Sequence, residues 1–153
     1  EYEDIQLVNQ FLLNEKKGFN IFSIMGWSKK NIELHFNKKN NFSISYLFKD
    51  EIRGILIGEK INNNINFDLD VHIMFVSEKY RGNKIGSDLL KFIEGNKNFY
   101  NISKIYLEVS ENNLEAINFY EKNNFFFLNL RNNYYKEDNK TYNAKCYQKN
   151  FKY

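Results

Sequence analysis

The hydrophobic period of this chain changes at Asn41, and that change narrows the folds open to it. From there Phe42, Ile44, Tyr46 and Phe48 alternate with polar residues, the period of a half-buried strand. Lys49-Asp50-Glu51 breaks the run, residues 52–61 return as a second strand, 62–64 turn again, and 67–76 form a third. Residues 41–76 should therefore form an antiparallel meander. On both sides the period is helical. Ile5, Leu7, Val8, Phe11 and Leu12 predict a helix over about 3–16, ending before Gly18, and Ser28 can cap a second over about 29–38. Beyond the meander, apolar residues at 85, 89, 90, 92 and 93 predict a helix. A strand over 104–109, a helix over 114–123 and aromatic-rich strands over about 125–131 and 142–150 complete the pattern. Helices that alternate with strands after a meander imply an α/β fold, with a mixed, mostly antiparallel sheet flanked by about four helices.

Length and composition set the remaining bounds. With 153 residues and no Gly/Ser linker or repeat, residues 1–153 read as a single domain. A net charge of +3 is too small a surplus to argue for nucleic acid. The lone Cys146 excludes an internal disulfide framework, and no apolar run nears the roughly 18 residues a membrane span needs. A reducing, cytoplasmic setting fits. Because the chain opens on Glu1 instead of Met, a targeting segment can lie ahead of it, and an organelle stays open. Proline is absent and Asn occurs 26 times, a bias that AT-rich coding explains, so Asn tracts read as loop filler. Arginine occurs only at 53, 81 and 131, which makes a cluster of Arg81, Gly82 and Gly86 more informative than usual.

That cluster lies in VSEKYRGNKIGSDLL, residues 76–90, where a strand end, a short loop and a helix start follow one another. The first turn of a helix carries unpaired N–H groups and partial positive charge, which suits an anion. Gly82 and Gly86 would let a phosphate approach the main chain, and Arg81 adds charge. A plain basic loop beside a helix start is the alternative. The run is neither GxxxxGK[ST] nor GxGxxG.

Arg81-Gly82-Asn83-Lys84-Ile85-Gly86 resembles the (Q/R)xxGx(G/A) pyrophosphate loop of GNAT acetyltransferases, with Val76 and Tyr80 where that family's V-x-P-x-Y-R run puts them. Lys84 replaces a motif glycine and Glu78 the proline. If the backbone of Lys84 is already helical, its N–H can still meet a phosphate. A second run, IYLEVSENNLEAINFYEKNNF over 105–125, is similar to the family's LEV-x-x-x-N-x-x-A-x-x-[LF]-Y-x-K-x-G-F. Glu108, Val109, Asn113, Ala116, Phe119, Tyr120, Lys122 and Phe125 match in register, and Asn124 stands for glycine at a helix end, where Asn is the second choice. Trp27-Ser28 matches the family's first helical hairpin. The strand that usually precedes this hairpin is expected to be missing or rudimentary. Asn133, Tyr134, Tyr135 and Ala144 resemble the NYY…(D/N)A ending of protein N-terminal acetyltransferases, including the ribosomal-protein alanine type; alternatively, the tyrosines are plain strand aromatics.

The resemblance implies transfer of acetyl from acetyl-CoA to an amine by direct attack, with no covalent enzyme intermediate, so Cys146 need not act. It implies that Met74, Phe75 and Val76 pair with the pantetheine arm. Arg81, Gly82, Asn83, Lys84, Ile85, Gly86 and Ser87 would hold the pyrophosphate, and Asn113 would orient the cofactor near its thiol end. Glu108 would be the base, Tyr120 the acid, and Tyr134 and Tyr135 would bind the acceptor. The amine chemistry favours a protein N-terminus. Neutralising an α-amine at pH 7 takes roughly 1 kcal/mol, a lysine roughly 4.6 kcal/mol. An aminosugar phosphate, or a degenerate acyl-CoA-binding module without turnover, are the other readings. A monomer or weak dimer is expected. His35 and His72 read as structural side chains, with a supporting role open to His72. The His, Asp and Glu residues show no metal-ligand spacing, so no metal is expected.

Overall fold

The computed structural model describes residues 8, 10–12, 15, 27–137 and 140–151. The helix expected over 3–16 and any strand ahead of it lie largely outside these residues. Residues 8 and 10–12 are helical, with Val8, Phe11 and Leu12 buried. The described elements are α1 (Lys29–Phe36), β1 (Asn41–Phe48), β2 (Glu51–Asn62), β3 (Phe67–Val76), a 3-10 turn (Glu78–Tyr80), α2 (Ile85–Gly95), α3 (Lys97–Tyr100), β4 (Ile102–Ser110), α4 (Leu114–Lys122), β5 (Phe126–Glu137) and β6 (Lys140–Asn150). The expected mixed α/β architecture is present.

The six strands make one sheet in the order β1-β2-β3-β4-β6-β5. Every neighbouring pair is antiparallel except β3 with β4, which α2 joins as a crossover. That parallel pairing runs from Phe67↔Ile102 to Val71↔Leu107 and then stops. Beyond it β3 continues against β2 as far as Gly54↔Val76, and β4 continues against β6 as far as Ser110↔Ala144. The sheet therefore opens into a V between residues 72–76 and 108–110.

A bulge prepares the opening. Gly58 pairs with Val71 but Ile57 pairs with Ile73, so His72 is an extra residue in β3. The extra residue flips the side-chain parity. Leu69 and Val71 pack with Leu90, Ile93, Ile117 and Tyr120 under α2 and α4, whereas Ile73 and Phe75 pack with Phe11, Leu12 and Ile32 under α1. Met74 thereby turns to the α2 side. The backbone crowds here, since a Cβ on Gly58 would collide with the Asp70 carbonyl oxygen.

Local signals set two helix boundaries. The Ser28 hydroxyl accepts from the Asn31 N–H at 3.2 Å and caps α1. α4 ends with Asn124 left-handed at φ 64°, the Asn124 N–H on the Glu121 carbonyl and the Phe125 N–H on the Tyr120 carbonyl. This is the Schellman arrangement with Asn in the glycine place, and the Phe125 ring meets that of Tyr120 at 5.5 Å. Among the described residues no helix is long and apolar enough to cross a membrane.

Candidate active site

One wall of the V is the stretch of β3 over Met74, Phe75 and Val76, past the last residue paired with β4. The chain leaves this edge through Ser77, which is buried with its hydroxyl on Glu15 at 2.6 Å, and passes into the 3-10 turn. The turn is braced from the β1–β2 hairpin. Tyr80 donates to Glu51 at 2.6 Å, Lys79 at 2.9 Å, and Arg53 stacks between the rings of Phe48 and Tyr80. The Tyr80 hydroxyl, then Lys79, hold the Glu51 carboxyl down at about 2. Arg81 Nε reaches the Val76 carbonyl at 3.4 Å, and Asn83 Nδ2 the Tyr80 carbonyl at 3.1 Å.

Gly82 is left-handed at φ 78°, and Lys84 follows at φ 62°, ψ 5° as the N-cap of α2. The condition of a helical backbone at Lys84 is thus not met. The residue takes the left-handed conformation that glycine adopts freely and that costs an L-residue about 1–2 kcal/mol. The first bond of the helix joins the Asp88 N–H to the Lys84 carbonyl at 2.9 Å, so the N–H groups of Ile85, Gly86 and Ser87 begin the helix without an intrahelical acceptor. Ile85 is buried and pins this turn to the core. A Cβ on Gly86 would stand 3.0 Å from the Phe119 ring and 3.3 Å from Met74, so its smallness also lets α2 approach α4 and β3.

α4 lies on the other side of the opening. The Asn113 Oδ1 accepts the Ala116 N–H at 3.1 Å and caps the helix, and Arg81 comes within 3.9 Å of Glu115 in the first turn. At the far end Tyr120 is buried, and desolvation pushes its phenol up to about 12. Among the described residues nothing hydrogen-bonds its hydroxyl.

The opposite sheet face carries Glu108. Its carboxylate is ion-paired with Arg131 on β5, and its carbonyl accepts from the Tyr135 hydroxyl at 3.3 Å. Tyr134 and Tyr135 separate in role. Tyr135 is buried, whereas Tyr134 is 43% exposed with the Arg131 guanidinium 4.3 Å over its ring. A second bulge presents Tyr134, because β5 spends four steps from Arg131 to Tyr135 against two on β6 from Ala144 to Tyr142. Asn133 is left-handed there, with its N–H on Asn143 Oδ1 at 3.1 Å, and Glu111 holds Asn143 in turn. Asp70 shares this face. Burial raises its carboxyl, as do the charges of Glu108 and Glu59, against the opposing pull of His72 and Arg131.

Sequence reading missed Arg131, Asp70 and Glu59, which lie on separate strands and fall in none of the matched motif positions. It also missed a meeting of three elements. His35, Glu59 and His72 bring ligand-type atoms within 4.8 Å of one another, although nothing in their spacing along the chain announces it.

The acetyltransferase (GNAT) family model matches residues 12–125. The chain belongs to this family and is an acetyl-CoA-dependent N-acetyltransferase. Among solved structures it is similar to the ribosomal-protein-S18-alanine N-acetyltransferase of Escherichia coli, at 18% identity over 83% of this chain and 79% of that one, with TM-score 0.72. It is similar to Arabidopsis thaliana Naa50, solved with the bisubstrate analogue CoA-Ac-MVNAL, at 26% identity over 71% and 72%, with TM-score 0.63. A Bacillus anthracis protein assigned to streptothricin acetylation, solved with acetyl coenzyme A, is 26% identical over 78% and 67%, with TM-score 0.66. No curated protein matches the chain.

Proposed function

We propose that this enzyme acetylates the N-terminal α-amino group of a protein, with Glu108 as base and Tyr120 as acid. The observation that carries the acceptor class is the charge of the Glu108 face. Glu59, Asp70 and Glu108 supply three carboxylates, while the cations beside them, Lys38 and Arg131, are already paired with Glu59 and Glu108. With three carboxylates against two cations, the face suits an incoming ammonium better than the phosphate of an aminosugar phosphate. Tyr134, exposed over Arg131, offers an aromatic wall to a peptide. The likeness to Naa50 and to the S18 alanine enzyme supports the same reading.

In this reading the edge of Met74, Phe75 and Val76 beyond the β4 pairing takes the amides of the pantetheine arm. The loop from Arg81 to Ser87 receives the pyrophosphate on main-chain N–H groups, and Asn113 orients the cofactor near its thiol end. Acetyl-CoA supplies the activated acyl group. Glu108 removes a proton from the ammonium through water, the freed nitrogen bonds to the acyl carbon, and the carbon–sulfur bond breaks. Tyr120 gives its proton to the departing thiolate sulfur. Its raised affinity for the proton keeps it in the acid form at every physiological pH.

The test is acetyl transfer to an N-terminal peptide library, with aminosugar phosphates as competitors. Turnover on a subset of peptides that the sugars do not suppress is expected. Preferred turnover of the sugar phosphates would overturn the acceptor assignment, and acetyl-CoA binding without turnover on any amine would overturn the catalytic one.

A further inference from the structure

We propose that His35, Glu59 and His72 form a binding site for a borderline divalent transition ion of the Zn²⁺ class, on the sheet face that also carries Glu108. The three residues come from α1, β2 and β3. His35 Nδ1 stands 3.4 Å and His72 Nε2 3.5 Å from the same oxygen, Glu59 Oε1. Tetrahedral Zn²⁺, with bonds of about 2.0–2.1 Å, holds its ligand atoms about 3.3 Å apart. Two edges of such a site already have that length, and two imidazoles with a carboxylate are a donor set that zinc accepts.

Three further observations separate this group from an ordinary surface cluster. His35 is 1% exposed, and neither of its ring nitrogens meets hydrogen-bond geometry with a partner among the described residues, although the Gly58 backbone and the Glu59 carboxylate lie near. Buried polar atoms are rarely left so. His72 points Nε2 at Glu59 while Asp70 lies 4.0 Å behind its Nδ1, from where a small side-chain turn would make the hydrogen bond that orients a ligating imidazole. Trp27 closes the group, its ring 5.4 Å from that of His35 and 5.7 Å from that of His72.

Lys38 now occupies Glu59 Oε1, with Asn40 on Oε2 at 3.1 Å. Half exposed on a flexible stem, the ammonium can withdraw to solvent as a doubly charged ion enters, while Asn40 keeps the carboxylate turned. A bound ion would tie α1 to β2 and β3. The inference goes beyond acetyl transfer, since no proton or acyl group moves through His35, Glu59 or His72 in that reaction, although Glu59 also lends charge to the acceptor face.

The experiment titrates metal-free full chain with Zn²⁺, and with Co²⁺ as a spectroscopic stand-in, without acetyl-CoA or peptide. One ion per chain, tetrahedral-type cobalt bands and a Zn²⁺-dependent rise in Tm are expected. His72→Gln, at a part-exposed position, should weaken Zn²⁺ binding by more than about 100-fold, and Asp70→Asn by about 10–100-fold. Lys38→Ala should tighten it. Zn²⁺ binding that His72→Gln leaves unchanged, binding abolished by Cys146→Ser, or octahedral cobalt spectra would overturn the site. Because the readout is metal binding alone, its failure leaves the acetyl-transfer reading untouched.

Discussion

Residues 76–87 and residues 131–135 are both short polar interruptions of regular structure beside the V of the sheet, yet they offer different things to a ligand. The first offers backbone. Its useful groups are the strand edge at Met74 to Val76 and the N–H groups of Ile85, Gly86 and Ser87, and its side chains brace the loop through Tyr80, Lys79 and Glu51. The second offers side chains. Its bulge lifts Tyr134 and Arg131 over Glu108, and the bracing is a chain of amides and a carboxylate through Asn133, Asn143 and Glu111. A backbone site tolerates changes of side chain so long as the dihedrals survive. A site of side chains does not.

The largest expected effect falls where chemistry depends on a single atom. Tyr120→Phe keeps the ring contacts with Phe119 and Phe125 and removes only the hydroxyl. Turnover should fall on the order of 10²-fold with acetyl-CoA affinity nearly unchanged, read from steady-state kinetics and titration calorimetry. The same residue sets an alkaline limit. Its phenol is raised to about 12 when folded and lies near 10 when unfolded, so its contribution to stability is whole below pH 10 and lost as pH climbs toward 12. Denaturant titrations across that window should show a smaller loss in Tyr120→Phe than in the wild type, the remainder coming from Tyr135 and Tyr147, whose phenols burial also raises.

Next in size is a break in the backbone site. Gly86→Val puts a branched side chain 3.0 Å from Phe119, where Met74 also crowds. Stability should drop by about 1–3 kcal/mol and acetyl-CoA affinity with it. Unchanged affinity would show that close main-chain approach at Gly86 is not what the cofactor needs.

Tyr134→Ala probes the other region. A peptide KM raised roughly tenfold with kcat nearly kept is the expected split, because an exposed aromatic wall contributes positioning. Equal loss in kcat would move Tyr134 into the chemistry.

The smallest effect sharpens the comparison by improving the molecule. Lys84→Gly should stabilise the fold by about 1 kcal/mol, because it relieves a left-handed Lys without removing any contact of the loop backbone. A thermal or denaturant midpoint that does not rise would mean that the Lys84 side chain contributes as much as its backbone costs.

The same contrast explains what could be read from the chain. Strand positions, the capping Ser28 and the left-handed Asn124 announced themselves because each is a local pattern within a few residues. The stop of β5 expected at residue 131 was wrong for a physical reason. Arg131, Asn132 and Asn133 break the alternation, yet the bulge absorbs them and pairing resumes at Tyr135. The left-handed Lys84 ran against its own intrinsic preference, which the braced loop overrides. The parity flip in β3 left no trace, since both sheet faces are covered and Leu69, Val71, Ile73 and Phe75 are buried alike. Glu59, Asp70, His72, Glu108 and Arg131 come together only because the order β2-β3-β4-β6-β5 and two bulges place them so.

The role of Glu108 is the centre of this account, and its most direct test is the pH–rate profile of Glu108→Gln on an N-terminal peptide. The amide preserves size and a hydrogen-bonding partner for Arg131 but accepts no proton. Activity should fall steeply at pH 7 and recover in part as pH passes the α-amine value of about 8, where the acceptor arrives neutral. A profile that keeps the wild-type shape and height would contradict Glu108 as the base.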